Sequence, residues 1–216
     1  MHITIVVYPG VTMLDAVGPA EVLTRLPEAS VTVASLQPGE AVRSDTGVWA
    51  MQPDAAIADV ASTDLLLVPG GPLTGTLAED AQVAASLQRL HASASVTASV
   101  CTGSLLLGAA GILRGVRATT HWACLDELEA LGAVPVRERV VVDGSIYTAA
   151  GVSSGIDMAL RLTADLQGEA LARRLQLAIE YDPQPPFDSG SPRTADPALV
   201  ESLRRRFATM AERERG

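Results

Sequence analysis

A chain of 216 residues with 48% hydrophobic residues is long enough to bury a sizeable core, and it reads as one domain over residues 1–216. Its net charge of −9 argues against nucleic acid and anionic membranes as partners, and the Arg204–Arg206 cluster, set among Glu201, Glu212 and Glu214, reads as a solvated helix face. Two cysteines in different contexts suggest no disulfide framework. No apolar run reaches transmembrane length, and the N-terminus enters a strand without a charged leader, so a cytoplasmic location is expected.

In chain order, residues 3–8 form an apolar strand closed by Pro9-Gly10. Asp15 follows, and residues 20–26 read as a helix with Pro19 near its first turn. Residues 31–35 are a second strand ended by Gln37-Pro38-Gly39, and residues 42–44 and 48–51 flank a turn as an excursion or a hairpin. Leu65–Val68 is a fully apolar strand ended by Pro69-Gly70-Gly71, and residues 81–91 are helical. Residues 95–100 form the next strand, and residues 102–110 the helix after it. A short strand at 116–120 reaches His121-Trp122, residues 123–131 are helical, and strands at 134–136, 139–142 and 146–149 follow. Helices at 156–166 and 169–179 precede a Pro-rich arm at 181–192, anchored by Tyr181 and Phe187, and a closing helix at 197–214. Strands alternating with helices and ending in Gly-rich turns give an α/β sandwich with a mostly parallel central sheet. Ligands in such sheets bind beyond the carboxyl ends of the strands, which is where Asp15, Gly70-Gly71, Cys101 and His121 fall.

The chemistry is expected at SVTASVCTGSLLL, residues 95–107, where Cys101 stands between a strand and a helix. This is the thiol counterpart of a strand–Ser–helix nucleophile elbow. The helix N-terminus favours a thiolate, and the Thr102 N–H can stabilise an anion on the substrate. A buried Cys can also simply pack, which is the reading given to Cys124 on its amphipathic helix. Asp15 is either a proton-moving partner of Cys101 or a helix-start residue, and Glu21 faces either the site or solvent. Pro69-Gly70-Gly71 is a strand-ending turn or an oxyanion subsite, in which the Gly71 N–H stands opposite that of Thr102. His121 is either a dyad partner of Cys101 or a neutral core histidine, while His2 and His91 look like surface residues. No His, Cys and Asp grouping has metal-ligand spacing, so no metal is expected.

YPGVTMLDAVGPAEVL at 8–23, VPGG at 68–71, SVCTGSLLLGAAGILRGVRATTHW at 99–122, GVSSGIDMAL at 151–160 and IEYDPQPPFDSGSP at 179–192 together resemble the ThiJ/PfpI superfamily, and more specifically its isocyanide hydratase branch. The resemblance covers nearly the whole chain. It implies a flavodoxin-like three-layer core, a homodimer, and no metal or organic cofactor. It also implies Cys101 as nucleophile, Asp15 as its acid/base partner and Thr102 as a contact through hydroxyl and N–H. Asp182 is carried as a second carboxylate near the site. Thr102 stands where peptidase-like members have His, which weakens a protease reading. The expected substrates are a small isocyanide and water, with an N-substituted formamide as product. Val17, Trp122, Ile156 and Phe187 are the candidates for holding a small hydrophobic substituent. Rival readings are a glyoxalase-like or amidase-like enzyme using Cys101 and His121, and a thiol redox or ligand sensor.

Overall fold

The computed structural model describes residues 1–36 and 39–215. In chain order the elements are β1 (His2–Val7), α1 (Met13–Leu23), β2 (Ser30–Ser35), β3 (Val42–Arg43), β4 (Ala50–Met51), β5 (Ala55–Ala56), β6 (Leu65–Val68), α2 (Thr74–Ala78), α3 (Ala81–Ser93), β7 (Val96–Val100), α4 (Gly103–Ala109), β8 (Arg117–Ala118), α5 (Leu125–Ala130), β9 (Val134–Pro135), β10 (Val140–Asp143), β11 (Ile146–Ala149), α6 (Ser154–Gln167), α7 (Glu169–Ala178) and α8 (Pro197–Arg215). Among the described residues, seven strands form one sheet in the order β10-β11-β7-β6-β1-β2-β5. All neighbours pair in parallel except the β10–β11 hairpin, which adds an antiparallel edge.

The central strands are apolar on both faces because helices cover both. Leu65, Leu66, Leu67 and Val68 of β6 have no exposed surface, and Val96–Val100 is buried throughout. Helices α1, α6 and α7 pack together as one group, and α2, α3, α4 and α5 as another. This is the mostly parallel α/β sandwich expected from strand–helix alternation, in the flavodoxin-like three-layer form that the resemblance implies. The chain runs from β1 outward to β2 and β5, then returns to β6 on the other side of β1. The loops after β1 and β6 therefore diverge, leaving a crevice at the carboxyl ends of these strands.

Several boundaries differ from the sequence expectation for physical reasons. Helix α1 starts at Met13, so Pro19 lies inside it rather than in its first turn. Close packing favours this: a Cβ on Gly18 would lie 3.1 Å from Ile156, and one on Gly155 would lie 2.9 Å from Pro19. α1 and α6 thus meet over glycines. Helix α2 and strand β5 were not expected, since five-residue and two-residue elements leave almost no periodicity to read. The Gln37-Pro38 part of the expected turn lies outside the described residues. The arm at 181–192 is irregular, as expected. Tyr181 does anchor it, donating its hydroxyl to Asp157 Oδ1 at 3.0 Å, but Phe187 is 77% exposed and anchors nothing. His2 and His91, expected on the surface, are partly buried and hydrogen-bond the Thr32 and Thr97 hydroxyls.

Candidate functional site

β7 ends at Val100 and α4 begins at Gly103, so Cys101 and Thr102 make the entire turn. Cys101 has φ 56°, a left-handed conformation that costs an L residue about 1–3 kcal/mol and persists only where the surroundings enforce it. Here they do. The Cys101 N–H donates to Ala149 O at 3.0 Å and Ala150 O at 2.9 Å, continuing the β11 ladder past the strand end. Its carbonyl accepts the hydroxyls of Thr120 at 3.0 Å and Ser104 at 3.1 Å. Two glycines make room for the turn. A Cβ on Gly103 would lie 2.0 Å from Val68 O, and one on Gly70 would lie 2.6 Å from both Thr102 N and Thr102 Oγ1.

Asp15 sits in the first turn of α1 and is fully buried. Its Oδ2 accepts the Gly70 N–H at 3.0 Å, and its carboxyl is hydrogen-bonded with the Cys101 thiol. Oδ1 is buried without an N–H or O–H partner among the described residues. Burial pushes the Asp15 pKa up to about 7; the bonds from Gly70 and Cys101 hold it down, and the Asp45 charge adds to the rise. Burial also drives the Cys101 thiol far above its ordinary value, and the Asp15 charge drives it further. The N–H groups of Thr102 and Val152 act in the opposite direction. Burial raises the thiol pKa where the helix N-terminus was expected to favour a thiolate. The pair is a protonated thiol beside a carboxyl that can take or give a proton near neutrality.

Thr102 Oγ1 accepts the Gly71 N–H at 3.0 Å and lies 3.1 Å from Gly71 O, to which it donates. The Gly71 N–H, expected to face an oxyanion, is therefore engaged within the loop. The second N–H directed at Cys101 Sγ belongs to Val152. Sequence reasoning missed it. The available signal was the small-residue turn at 151–155 following a strand that pairs in register with β7.

His121 lies against Gly151, where an added Cβ would be 2.9 Å from the ring. Burial lowers its pKa, and its Nδ1 accepts the Ala123 N–H at 3.4 Å, so it rests neutral with the other ring nitrogen protonated. Among the described residues no hydrogen bond joins it to Cys101. Asp182 is exposed, accepts the Gln184 amide at 2.8 Å and stands outside the cavity. Glu21 faces solvent in an ion pair with Arg25.

Cys101 opens into a cavity of about 510 Å³. Gly71, Thr102 and Val152 line it near the thiol. Leu105, His121 and Ala123 extend the wall, and Arg204, Phe207 and Ala208 of α8 complete it. Cys124, expected to pack in a helix, instead lines this cavity just before α5, with its thiol pushed up to about 12 by burial and by Glu127. Of the apolar residues expected around a substituent, Val17, Ile156 and Phe187 are not in the lining, and Trp122 only backs it. Arg204, expected on a solvated face, lies over the Trp122 ring at 5.7 Å. No group of three or more His, Cys, Asp and Glu side chains among the described residues is placed to hold a metal ion.

The DJ-1/PfpI family profile matches residues 1–165, three quarters of the chain and every residue of the Cys101–Asp15 pair. The chain belongs to the DJ-1/PfpI family. Among curated members it is 46% identical to the isonitrile hydratase of Pseudomonas putida over 210 residues, covering 96% of this chain and 90% of that protein. Among solved members, a ThiJ/PfpI family protein from Pseudomonas syringae superposes with a TM-score of 0.93 at 38% identity, over 99% of this chain and 88% of that one. The oxidised DJ-1 of Toxoplasma gondii gives a TM-score of 0.74 at 27% identity, over 84% of this chain and 99% of that one. Among the described residues no helix is long and apolar enough to cross a membrane.

Proposed function

We propose that this DJ-1/PfpI protein is an isocyanide hydratase, converting R–N≡C and water to an N-substituted formamide. The observation that carries this reading is the 46% identity to the Pseudomonas putida isonitrile hydratase over nearly the whole of both chains. The site chemistry agrees with it. An isocyanide carbon is electrophilic toward a soft thiolate but carries no leaving group, so the site needs a thiol and one group able to donate and accept a proton. Cys101 and Asp15 meet that need.

In the proposed cycle Asp15 takes the thiol proton as Cys101 Sγ bonds to the isocyanide carbon. The protonated carboxyl then gives that proton to the same carbon, leaving a thioimidate, R–N=CH–S. Water adds to this carbon, with Asp15 again accepting a proton and the nitrogen gaining one. Collapse breaks the C–S bond, and the thiolate regains its proton as R–NH–CHO departs. The N–H groups of Thr102 and Val152 steady the negative charge on sulfur at the start and end of the cycle. A carboxyl with pKa about 7 suits both directions of transfer at neutral pH.

The glyoxalase-like and amidase-like alternatives route the proton through His121, which is neutral and bonded within its own turn. We read the chain as a cytoplasmic, cofactor-free enzyme of one domain, assembled as a homodimer and without nucleic-acid or membrane partners. The reaction is tested by incubating the purified protein with benzyl isocyanide and following the formyl proton by NMR. One N-benzylformamide per isocyanide consumed is expected, and no formamide from folded protein would refute the reading.

A further inference from the structure

The family profile ends at residue 165, before α7, the arm and α8. α8 nevertheless supplies part of the cavity in front of Cys101. Arg204, Phe207 and Ala208 line it, and their spacing of three and four places them on one helical face. Phe207 is held there by aromatic contacts: its ring meets His121 edge-on at 5.1 Å and Trp122 at 6.0 Å. Arg204 lies over the same Trp122 ring. Both ring partners belong to the turn just after Thr120, whose hydroxyl holds the Cys101 carbonyl. α8 is thus docked onto the segment that braces the thiol turn.

The cavity has an inner and an outer end. Cys101 is 6% exposed, whereas Phe207 is partly exposed and Arg204 and Ala208 are exposed. At about 510 Å³ the cavity falls within the range of about 300–1,000 Å³ that holds drug-sized ligands. A linear isocyano group needs only the inner end. The remaining space must receive the substituent on nitrogen, and its lining includes Leu105, Ala123 and Phe207 together with the charged Asp45, Asp126, Glu127 and Arg204.

We propose that α8 is a specificity wall of the site, with Phe207 contacting the substituent on the isocyanide nitrogen, so that the side chain at 207 sets which substituents fit. This rests on the hydratase reading above. A substituent that reaches Phe207 meets a ring already braced by His121 and Trp122.

The test compares ethyl, cyclohexyl and benzyl isocyanide in the wild type, Phe207→Ala and Phe207→Leu, with folding confirmed by circular dichroism and melting temperature. Phe207→Ala should raise KM for the benzyl and cyclohexyl substrates about tenfold and change it less than about twofold for ethyl, the scale of losing a few apolar contacts. Phe207→Leu should recover part of that loss. An equal change for all three substrates, or none, overturns the proposal. A second arm separates this outcome from failure of the hydratase reading. N-benzylformamide binding is measured calorimetrically in Cys101→Ala, with and without Phe207→Ala. An affinity loss of about tenfold in the double variant supports the wall even if no isocyanide is turned over, and unchanged affinity overturns it.

Discussion

The turn carrying Cys101 and the helix closing its cavity are built by opposite means. The turn is fixed by backbone. Cys101 is held at φ 56° by four hydrogen bonds to its own N–H and carbonyl, and glycines at 70 and 103 leave no space for a side chain. α8 is fixed by side chains, through Phe207 and Arg204 on the His121-Trp122 turn, and lies beyond the residues the family profile matches. Backbone geometry tolerates little substitution, whereas a side-chain wall can be revised one residue at a time. On the proposals above, the reaction belongs to the turn and the choice of substrate to the helix.

The largest expected effect tests the first half of that division. Cys101→Ala should abolish turnover while leaving the melting temperature close to that of the wild type, since the backbone bonds that hold the turn remain. Gly70→Ala should also remove most activity, but with loss of stability, because its Cβ would collide with Thr102 and crowd Asp15 Oδ2 at 3.0 Å. Separate readouts of activity and melting temperature distinguish the two.

Asp15→Asn should lower kcat by about 10²–10⁴, the usual range for loss of a general acid and base. It should also stabilise the protein at high pH, and the sign follows from the pKa. The folded value of about 7 lies above the unfolded 3.8, so the contribution of Asp15 is fully present below 3.8 and is lost as pH rises through 7. The difference corresponds to about 4 kcal/mol against the wild type above pH 7. Denaturant unfolding at pH 4 and pH 8 should show the variant gaining on the wild type only at the higher pH. Such a gain on loss of activity is the mark of a group kept for function at a cost in stability.

A smaller effect sharpens the same point. Asp15 must be ionised to take the thiol proton, so kcat/KM should fall below about pH 7. Asp45 accepts the Thr12 hydroxyl at 2.8 Å and its charge helps to raise the Asp15 pKa. Asp45→Asn should move that acidic limb to lower pH. Tyr8 and Cys101 are the other titratable groups coupled to Asp15, and neither ionises near neutrality, so the limb should remain a single step.

Much of the reactive half was legible in the sequence, because its residues lie at strand ends that apolar runs announce. β6 and β11 appear with the bounds expected, and the structure brings Cys101, Asp15 and Gly70 together, with Asp15 inside the first turn of α1. What sequence could not resolve was the balance of physical terms within the turn. The helix N-terminus points to a thiolate where burial raises the thiol pKa, and the Gly71 N–H expected to face an oxyanion is bonded to Thr102 Oγ1. The substrate half was nearly invisible. Phe207 meets Trp122 across 85 residues, and no local pattern announces such a contact. Asp182 and Phe187 were picked from a segment whose composition marks it as irregular but does not say which way it faces.

The most direct test of the account is formamide production from benzyl isocyanide by the wild type and Cys101→Ala side by side, with both shown to be folded. The account predicts steady formation of N-benzylformamide by the wild type and none above background by the variant. Turnover by folded Cys101→Ala at the wild-type rate would contradict it.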